Sequence, residues 1–253
     1  MNRNIYSAFV LVISIILVHL IYVAWINPNV EIIQNIAAQT GSILPRNLFI
    51  IIKDFEQEIC IILFIWGIFL CGSNYLQISN YEYLYGVDLL DDVKLDSTNA
   101  LQYLESFDEL SDDVKKAPLV EIIMSSLRRY ALTGNIESAA SSIEPALEAL
   151  SIRNENDLAI LKYISWAIPS IGFLGTVRGI GQAMSEAEAA VAGNIAPMTS
   201  SLGVAFNSTF IALIISIFLM LALSYIQKEQ DSQLIKIKNY TEKYLINRIH
   251  QSS

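Results

Sequence analysis

The sequence predicts an all-α integral membrane protein with four transmembrane helices, a helical cytoplasmic insert between the second and third, and a cytoplasmic C-terminal helix. Three observations predict this fold class. The 253 residues are 53% hydrophobic and 16% charged, whereas soluble domains average about 45–50% and about 25%. Four apolar runs reach the roughly 20 residues that a spanning helix needs. Basic residues are concentrated in two of the segments between and after these runs.

The four apolar runs define the predicted spans, which cover residues 5–26, 59–78, 158–184 and 197–226. The first run is too long and too uniformly apolar for a signal peptide, and no small-residue cleavage site follows it, so we interpret it as a retained anchor. Pro169 lies within the third run. It is expected to bend that helix unless a neighbour satisfies the carbonyl group that the proline leaves free.

Counts of lysine and arginine predict the orientation, because basic segments are retained in the cytoplasm. Residues 27–57 hold two basic residues, Arg46 and Lys53, and residues 185–196 hold none, whereas 79–157 hold six and 227–253 hold five. Both termini are therefore expected in the cytoplasm. The predicted parts are the first transmembrane pair with a short periplasmic loop (1–78), an acidic helical cytoplasmic domain (79–157), the second transmembrane pair (158–226) and a cytoplasmic C-terminal helix (227–253).

The segment 79–157 is predicted to be acidic and helical. Its sixteen acidic and six basic residues give a balance of −10, which argues against nucleic acid as a partner and is typical of a solvated surface. Helices are predicted within 97–113, 117–135 and 136–157. In the second, Pro118 suits a first turn, Gly134 suits a C-terminal stop, and one face repeats at helical spacing. That face consists of Leu119, Ile122, Ile123, Ser126, Leu127 and Tyr130.

The C-terminal tail carries an apolar stripe at steps of three to five residues. The stripe is expected to continue the fourth helix, and it needs a partner, either the acidic helices of the same chain or a neighbouring subunit. Its members are Leu234, Ile237, Tyr240, Tyr244 and Ile249.

The residue inventory argues against an enzyme. Cys60 and Cys71 lie eleven residues apart in one span, about 16 Å along a helix, and cannot pair with each other. We find no nucleophile, no metal-ligand cluster and no phosphate loop, and we expect no cofactor. The glycines at 172–181 follow no predicted strand, so they fail the context test for a dinucleotide site.

The third and fourth spans each present a face of small residues. One interpretation is close packing of membrane helices. The other is that both faces line a narrow central space that holds another helix or a thread of water, with threonine hydroxyls along it. The faces consist of Gly172, Gly175, Thr176, Gly179 and Ala183, and of Ser201, Ala205, Ser208, Thr209, Ala212 and Ser216.

Ionisable residues within the predicted spans are few, and they are His19, Lys162 and Arg178. No aspartate or glutamate is expected inside a span, although a proton path across a membrane generally needs a carboxylate. If this chain moves protons, another polypeptide is therefore expected to supply the acid. Arg178 is expected either to extend to the lipid head groups or to hold a carboxylate of that partner.

Two motifs resemble the MotA/TolQ/ExbB proton channel family. Residues 168–180 resemble the family's proline-then-GTV-G signature, and residues 202–216 resemble its second signature, with Ala205 four residues before Thr209. The resemblance covers roughly 160–226, and the order of spans is similar to the MotA-like layout. The first signature is carried by Pro169, Gly172, Leu174, Gly175, Thr176, Val177 and Gly179.

This resemblance implies a homopentameric ring in a bacterial inner membrane, around a dimer of a one-span partner similar to MotB, TolR or ExbD whose membrane aspartate carries the proton. It implies that Thr176, Thr209 and Ser208 line the ion pathway. H⁺ is the expected ion. Na⁺ is an alternative, and so is a non-conducting membrane scaffold of a secretion or defence system. The residues expected to pack against the partner helix are Pro169, Gly172, Gly175, Gly179, Ala205 and Ala212.

Overall fold

The computed structural model describes residues 3–40, 47–90 and 97–252, and every regular element in these ranges is helical. Arg46 and residues 91–96, which the sequence assigns to the periplasmic loop and the acidic domain, lie outside the described residues. The α-helices are α1 (Arg3–Ile21), α2 (Asn27–Thr40), α3 (Leu48–Ile51), α4 (Phe55–Ser79), α5 (Ser97–Asp108), α6 (Asp112–Lys115), α7 (Pro118–Thr133), α8 (Ile136–Ser185), α9 (Ala187–Val191), α10 (Ala196–Tyr240) and α11 (Asn247–Ser252). Two π-helical turns, Tyr22–Ile26 and Thr241–Ile246, join α1 to α2 and α10 to α11, and a 3₁₀ turn covers Glu82–Gly86.

Within the described residues, four helical stretches are long and apolar enough to cross a membrane, which confirms the predicted number of spans by length and composition. They are Ile5–Ala37, Phe55–Gly86, Ile136–Ser185 and Ala196–Ile249. Helices α8 and α10 have 50 and 45 residues, or about 75 and about 68 Å at 1.5 Å per residue. Both lengths are more than twice the roughly 30 Å hydrocarbon core of a bilayer. Each helix therefore continues well beyond its predicted span.

The chain divides into two compact units. The first, which we call the membrane unit, consists of Met1–Gly72 and Ile160–Ser224, and the second, the tail unit, consists of Ser73–Ala159 and Tyr225–Ser253. In the membrane unit, the hydroxyl group of Tyr22 donates a hydrogen bond to the backbone oxygen of Ile52 at 2.7 Å. This bond fixes the π-helical turn after α1 against the segment that precedes α4.

The tail unit has a core formed largely by α7, and the sequence predicts its buried face. Every member of the predicted repeat, from Leu119 to Tyr130, is buried, and Pro118 occupies the first turn. The C-terminal stripe also enters this core, where Ile237, Tyr240 and Ile249 are buried and Leu234 and Tyr244 pack against the cluster. The partner of the stripe is thus the insert of the same chain, one of the two predicted alternatives.

Gly134 ends α7 in the left-handed conformation, with φ of 63°. We expect Gly134→Ala to lower the free energy of unfolding by about 1 kcal/mol, because a Cβ is strained in this conformation. Gly134→Asn is the matched control and should cost less, since asparagine enters this region more readily. Thermal unfolding of the purified chain in detergent measures both changes, at about 2–4 °C per kcal/mol. Equal unfolding midpoints for the two variants would contradict the explanation.

Candidate functional site

The small faces of α8 and α10 pack against each other within the chain. Gly172, Gly175 and Gly179 are all buried. A Cβ atom added to Gly175 would lie 2.5 Å from the Cβ of Ser208, and one added to Gly179 would lie 2.6 Å from the backbone nitrogen of Ala205. Such contacts leave no room for a side chain. The glycines therefore allow the two helix backbones to approach closely, as in other membrane helix pairs.

This close approach brings two threonine hydroxyls together. The Oγ1 atoms of Thr176 and Thr209 form a hydrogen bond between α8 and α10. The hydroxyl of Thr176 also lies 3.1 Å from the backbone oxygen of Ala205, and that of Thr209 lies 3.1 Å from the backbone oxygen of Gly172. Each hydroxyl offers one hydrogen and two lone pairs. The pair can therefore accept a further hydrogen bond without losing its link to the backbone.

Pro169 is accommodated by a neighbouring helix. Proline has no N–H group, so it leaves the backbone oxygen of Ser165, four residues earlier, without its helical partner. The hydroxyl of Ser216 donates to this oxygen at 3.3 Å. The neighbour that the sequence analysis requires is thus a serine on α10, and the freed carbonyl is satisfied inside an apolar segment.

Arg178 forms an ion-pair cluster with two carboxylates of the same chain. Its Nε and Nη2 atoms donate to the two carboxylate oxygens of Glu56 at 2.6 and 2.9 Å, and Nη2 also lies 3.6 Å from Asp54 Oδ1. Bidentate pairs of this kind are among the strongest protein hydrogen bonds. The carboxylates that Arg178 holds therefore belong to the beginning of α4, whereas the sequence analysis expected a carboxylate of a partner or lipid head groups.

The local sequence explains why Glu56 lies inside the protein. Helix α4 begins at Phe55, four residues before the predicted span, and the side chain of Gln57 accepts a hydrogen bond from the backbone N–H of Asp54 at 2.9 Å. This is half of a capping box. It places Glu56 in the first turn, where it is 2% exposed. Burial raises the pKa of the Asp54 carboxyl, and the charges of Lys53 and Arg178 oppose this rise without cancelling it.

Comparison with known proteins identifies the segment that carries this site. Residues 114–239, about half of the chain, match the model of the MotA/TolQ/ExbB proton channel family. Through these residues the chain belongs to the MotA/TolQ/ExbB proton channel family. No curated protein and no solved structure matches the chain. The family segment contains all of α7 and α8 and all of α10 except Tyr240, so it includes both small faces.

All ten site residues predicted from the sequence lie within the MotA/TolQ/ExbB segment, and the structure brings most of them together where α8 meets α10. Gly172, Gly175, Gly179, Ala205 and Ala212 form the contact between the two helices. Their role against a partner helix stays a prediction. Asp54 and Glu56 lie outside the family segment, and the sequence analysis did not predict them as site residues.

Ser208, also predicted on the ion pathway, has an unusual position in this MotA/TolQ/ExbB site. It is 1% exposed, and its hydroxyl has no hydrogen-bond partner among the described residues. Most buried hydroxyls in proteins are paired. Among residues 3–40, 47–90 and 97–252, no group of three His, Cys, Asp or Glu side chains is arranged to hold a metal ion.

Proposed function

We propose that the chain is the ring-forming subunit of a proton-driven rotary or force-transducing complex in a bacterial inner membrane. The single observation that carries the proposal is the Thr176–Thr209 hydroxyl pair, which joins α8 to α10 within the residues that match the family. Such hydroxyls can relay or solvate a cation in an otherwise apolar helix pair. Both termini would lie in the cytoplasm, as the distribution of lysine and arginine predicts.

The second component would be a one-span protein whose membrane aspartate carries the proton. Hydroxyl groups can pass a proton on, but they store no additional proton at neutral pH, so a carboxylate that loads and releases protons is needed on the moving part. In the proposed complex, five copies of this chain surround a dimer of that partner. Each proton that crosses supplies about 2.3 kcal/mol per 100 mV of membrane potential, which the complex would convert into mechanical work.

Valine substitutions test the role of the two hydroxyls, because valine keeps the shape of threonine and removes its polar group. We expect Thr176→Val and Thr209→Val each to reduce proton flux by about 10–100-fold, which corresponds to about 1.5–3 kcal/mol for a lost hydrogen bond to a charged group. The flux is measured with a pH-sensitive dye in vesicles that contain the chain and the one-span protein that copurifies with it.

Thr199→Val provides the matched control for this experiment. Thr199 is exposed on α10, and its hydroxyl donates to the backbone oxygen of Ile195 at 2.9 Å. The control should retain the flux of the unmodified chain. Unchanged flux in both Thr176→Val and Thr209→Val would contradict the proposal and favour a scaffold that conducts no ions. A flux that follows external sodium at fixed pH would instead favour a sodium-driven complex.

A further inference from the structure

The guanidinium group of Arg178 has two carboxylates within ion-pair distance. One guanidinium group faces two carboxylates, Glu56 at 2.6 and 2.9 Å and Asp54 at 3.6 Å. The Glu56 side chain is almost completely buried, and the second carboxylate oxygen of Asp54 is buried without a hydrogen-bond partner. One proton can thus be taken up by either carboxylate while Arg178 keeps the other as its counter-ion.

The buried hydroxyl of Ser208 approaches the same point on α8 as the carboxyl group of Glu56. A Cβ atom on Gly175 would lie 2.7 Å from Ser208 Oγ and 3.4 Å from Glu56 Cδ. The two groups are therefore neighbours across the space that the glycine leaves free. Because the hydroxyl of Ser208 has no partner among the described residues, its hydrogen and both lone pairs are available to Glu56.

Ser208 and Gly175 are also next in sequence to Thr209 and Thr176, whose hydroxyls are hydrogen-bonded to each other. No hydrogen bond joins Ser208 to Glu56 or to Thr209, but the three side chains lie along the same stretch where α8 meets α10. We propose that Asp54, Glu56 and Arg178 form a proton-loading site of this chain, from which Glu56 passes protons to the hydroxyls of Ser208, Thr209 and Thr176. This inference rests on the proposed function, and it supplies the chain with an acid of its own.

The proton balance of each step is simple. A hydronium ion at the end of the spans where α4 begins gives a proton to a carboxylate of the cluster and leaves as water. The carboxylate becomes a neutral carboxylic acid. Arg178 keeps its positive charge and its contact with the other carboxylate. Glu56 then gives its proton to a lone pair of Ser208, and each hydroxyl releases its own proton to the next acceptor. The last acceptor is the aspartate of the proposed partner.

Other titratable groups face the cluster from two sides. They do not take part in the proposed transfer, and among them Lys53 carries a positive charge that acts on Asp54. On the α4 side these are Lys53, Glu58 and Cys60, and on the α1 side they are Tyr22 and His19, whose Nδ1 atom lies 2.9 Å from Glu58 Oε1.

Charge-neutral variants distinguish a proton-loading site from a structural ion pair. In vesicles that hold the chain and its copurifying one-span protein, Glu56→Gln should reduce proton flux by about a hundredfold, at the lower end of the effect of a positioned proton-transfer group. The double variant Glu56→Gln/Arg178→Gln removes both charges of this bidentate pair and leaves Asp54 without its guanidinium contact, yet its flux should stay equally low. Glu56→Asp should retain part of the flux. Glu58→Gln is the control on the same helix and should conduct like the unmodified chain.

Each other outcome has a definite meaning. If the double variant recovers the flux that Glu56→Gln loses, the pair is structural and the inference is wrong. If Thr176→Val abolishes flux while Glu56→Gln leaves it unchanged, the inference fails and the proposed function stands. If Glu56→Gln, Thr176→Val and Thr209→Val all leave the flux unchanged, the proposed function fails as well.

A second measurement needs the chain alone and does not depend on conduction. Difference infrared spectroscopy of the chain in lipid nanodiscs, between neutral and acidic buffer, should show a carboxylic acid band that is lost in Glu56→Gln and kept in Glu58→Gln. If Glu56 only holds Arg178 in place, Glu56→Gln should give the same difference spectrum as the unmodified chain, without a band that depends on Glu56. Its absence would therefore overturn the inference even if the substitution also impaired flux.

Discussion

Gly179→Leu is expected to prevent α8 from packing on α10 and to abolish the folded membrane unit. A Cβ atom at this position would lie 2.6 Å from the backbone nitrogen of Ala205 and 2.8 Å from the backbone oxygen of Ser201. Ordinary overpacking costs about 1–3 kcal/mol, because neighbouring side chains can move. Here the obstacles are backbone atoms of a helix, so the whole helix must shift, and the cost should exceed that range. The yield and unfolding midpoint of the purified chain measure the effect.

Gly181→Leu is the matched control, two residues further along the same helix. No atom lies within 4 Å of a Cβ placed there. Leucine in a helix is also favoured over glycine by up to about 1 kcal/mol, so the control should fold at least as well as the unmodified chain. An unfolding midpoint of Gly179→Leu equal to that of the control would show that the two helices do not pack as described.

The sequence predicts the helices of this protein because their signals are local. Leu119, Ile123 and Tyr130 recur at helical spacing between a proline and a glycine, and the structure buries them on one face of α7. The small faces of the third and fourth spans are likewise visible in the sequence. However, the two faces lie on segments that are distant in sequence. The periodicity of one helix does not predict which other helix packs against it.

The cluster around Arg178 shows the limit of such reasoning. Glu56 and Arg178 are 122 residues apart in the chain, and no local pattern relates them. The start of α4 did carry a signal, since Asp54 and Gln57 have the spacing of a capping box. A search for uncharged apolar runs does not detect this signal, because such a search places the start of a helix after the last charged residue. Helix α4 therefore begins four residues before the predicted span, and Glu56 lies in the helix and not in the predicted loop.

Removing the charge of Arg178 should lower the free energy of unfolding more than removing the charge of Glu56 does. Arg178→Gln leaves a carboxylate that is 3% exposed without its partner, and breaking a buried pair in this way costs about 3–5 kcal/mol. We expect about 3 kcal/mol, the lower end, because the arginine side chain itself is 40% exposed. Glu56→Gln should cost less than about 1 kcal/mol, since a partly exposed guanidinium remains hydrated and keeps Asp54 nearby. Thermal unfolding in detergent compares the two variants.

An exposed ion pair of the same chain calibrates this comparison. Arg153 and Glu121 lie 3.3 Å apart with side chains 50% and 47% exposed, and such pairs contribute about 0–1 kcal/mol. Arg153→Gln should therefore shift the unfolding midpoint by no more than about 4 °C, whereas Arg178→Gln should shift it by about 6–12 °C. If the two arginine variants unfold at the same temperature, the Arg178–Glu56 pair stabilises the folded protein no more than an exposed pair does, and the expectation from burial is wrong.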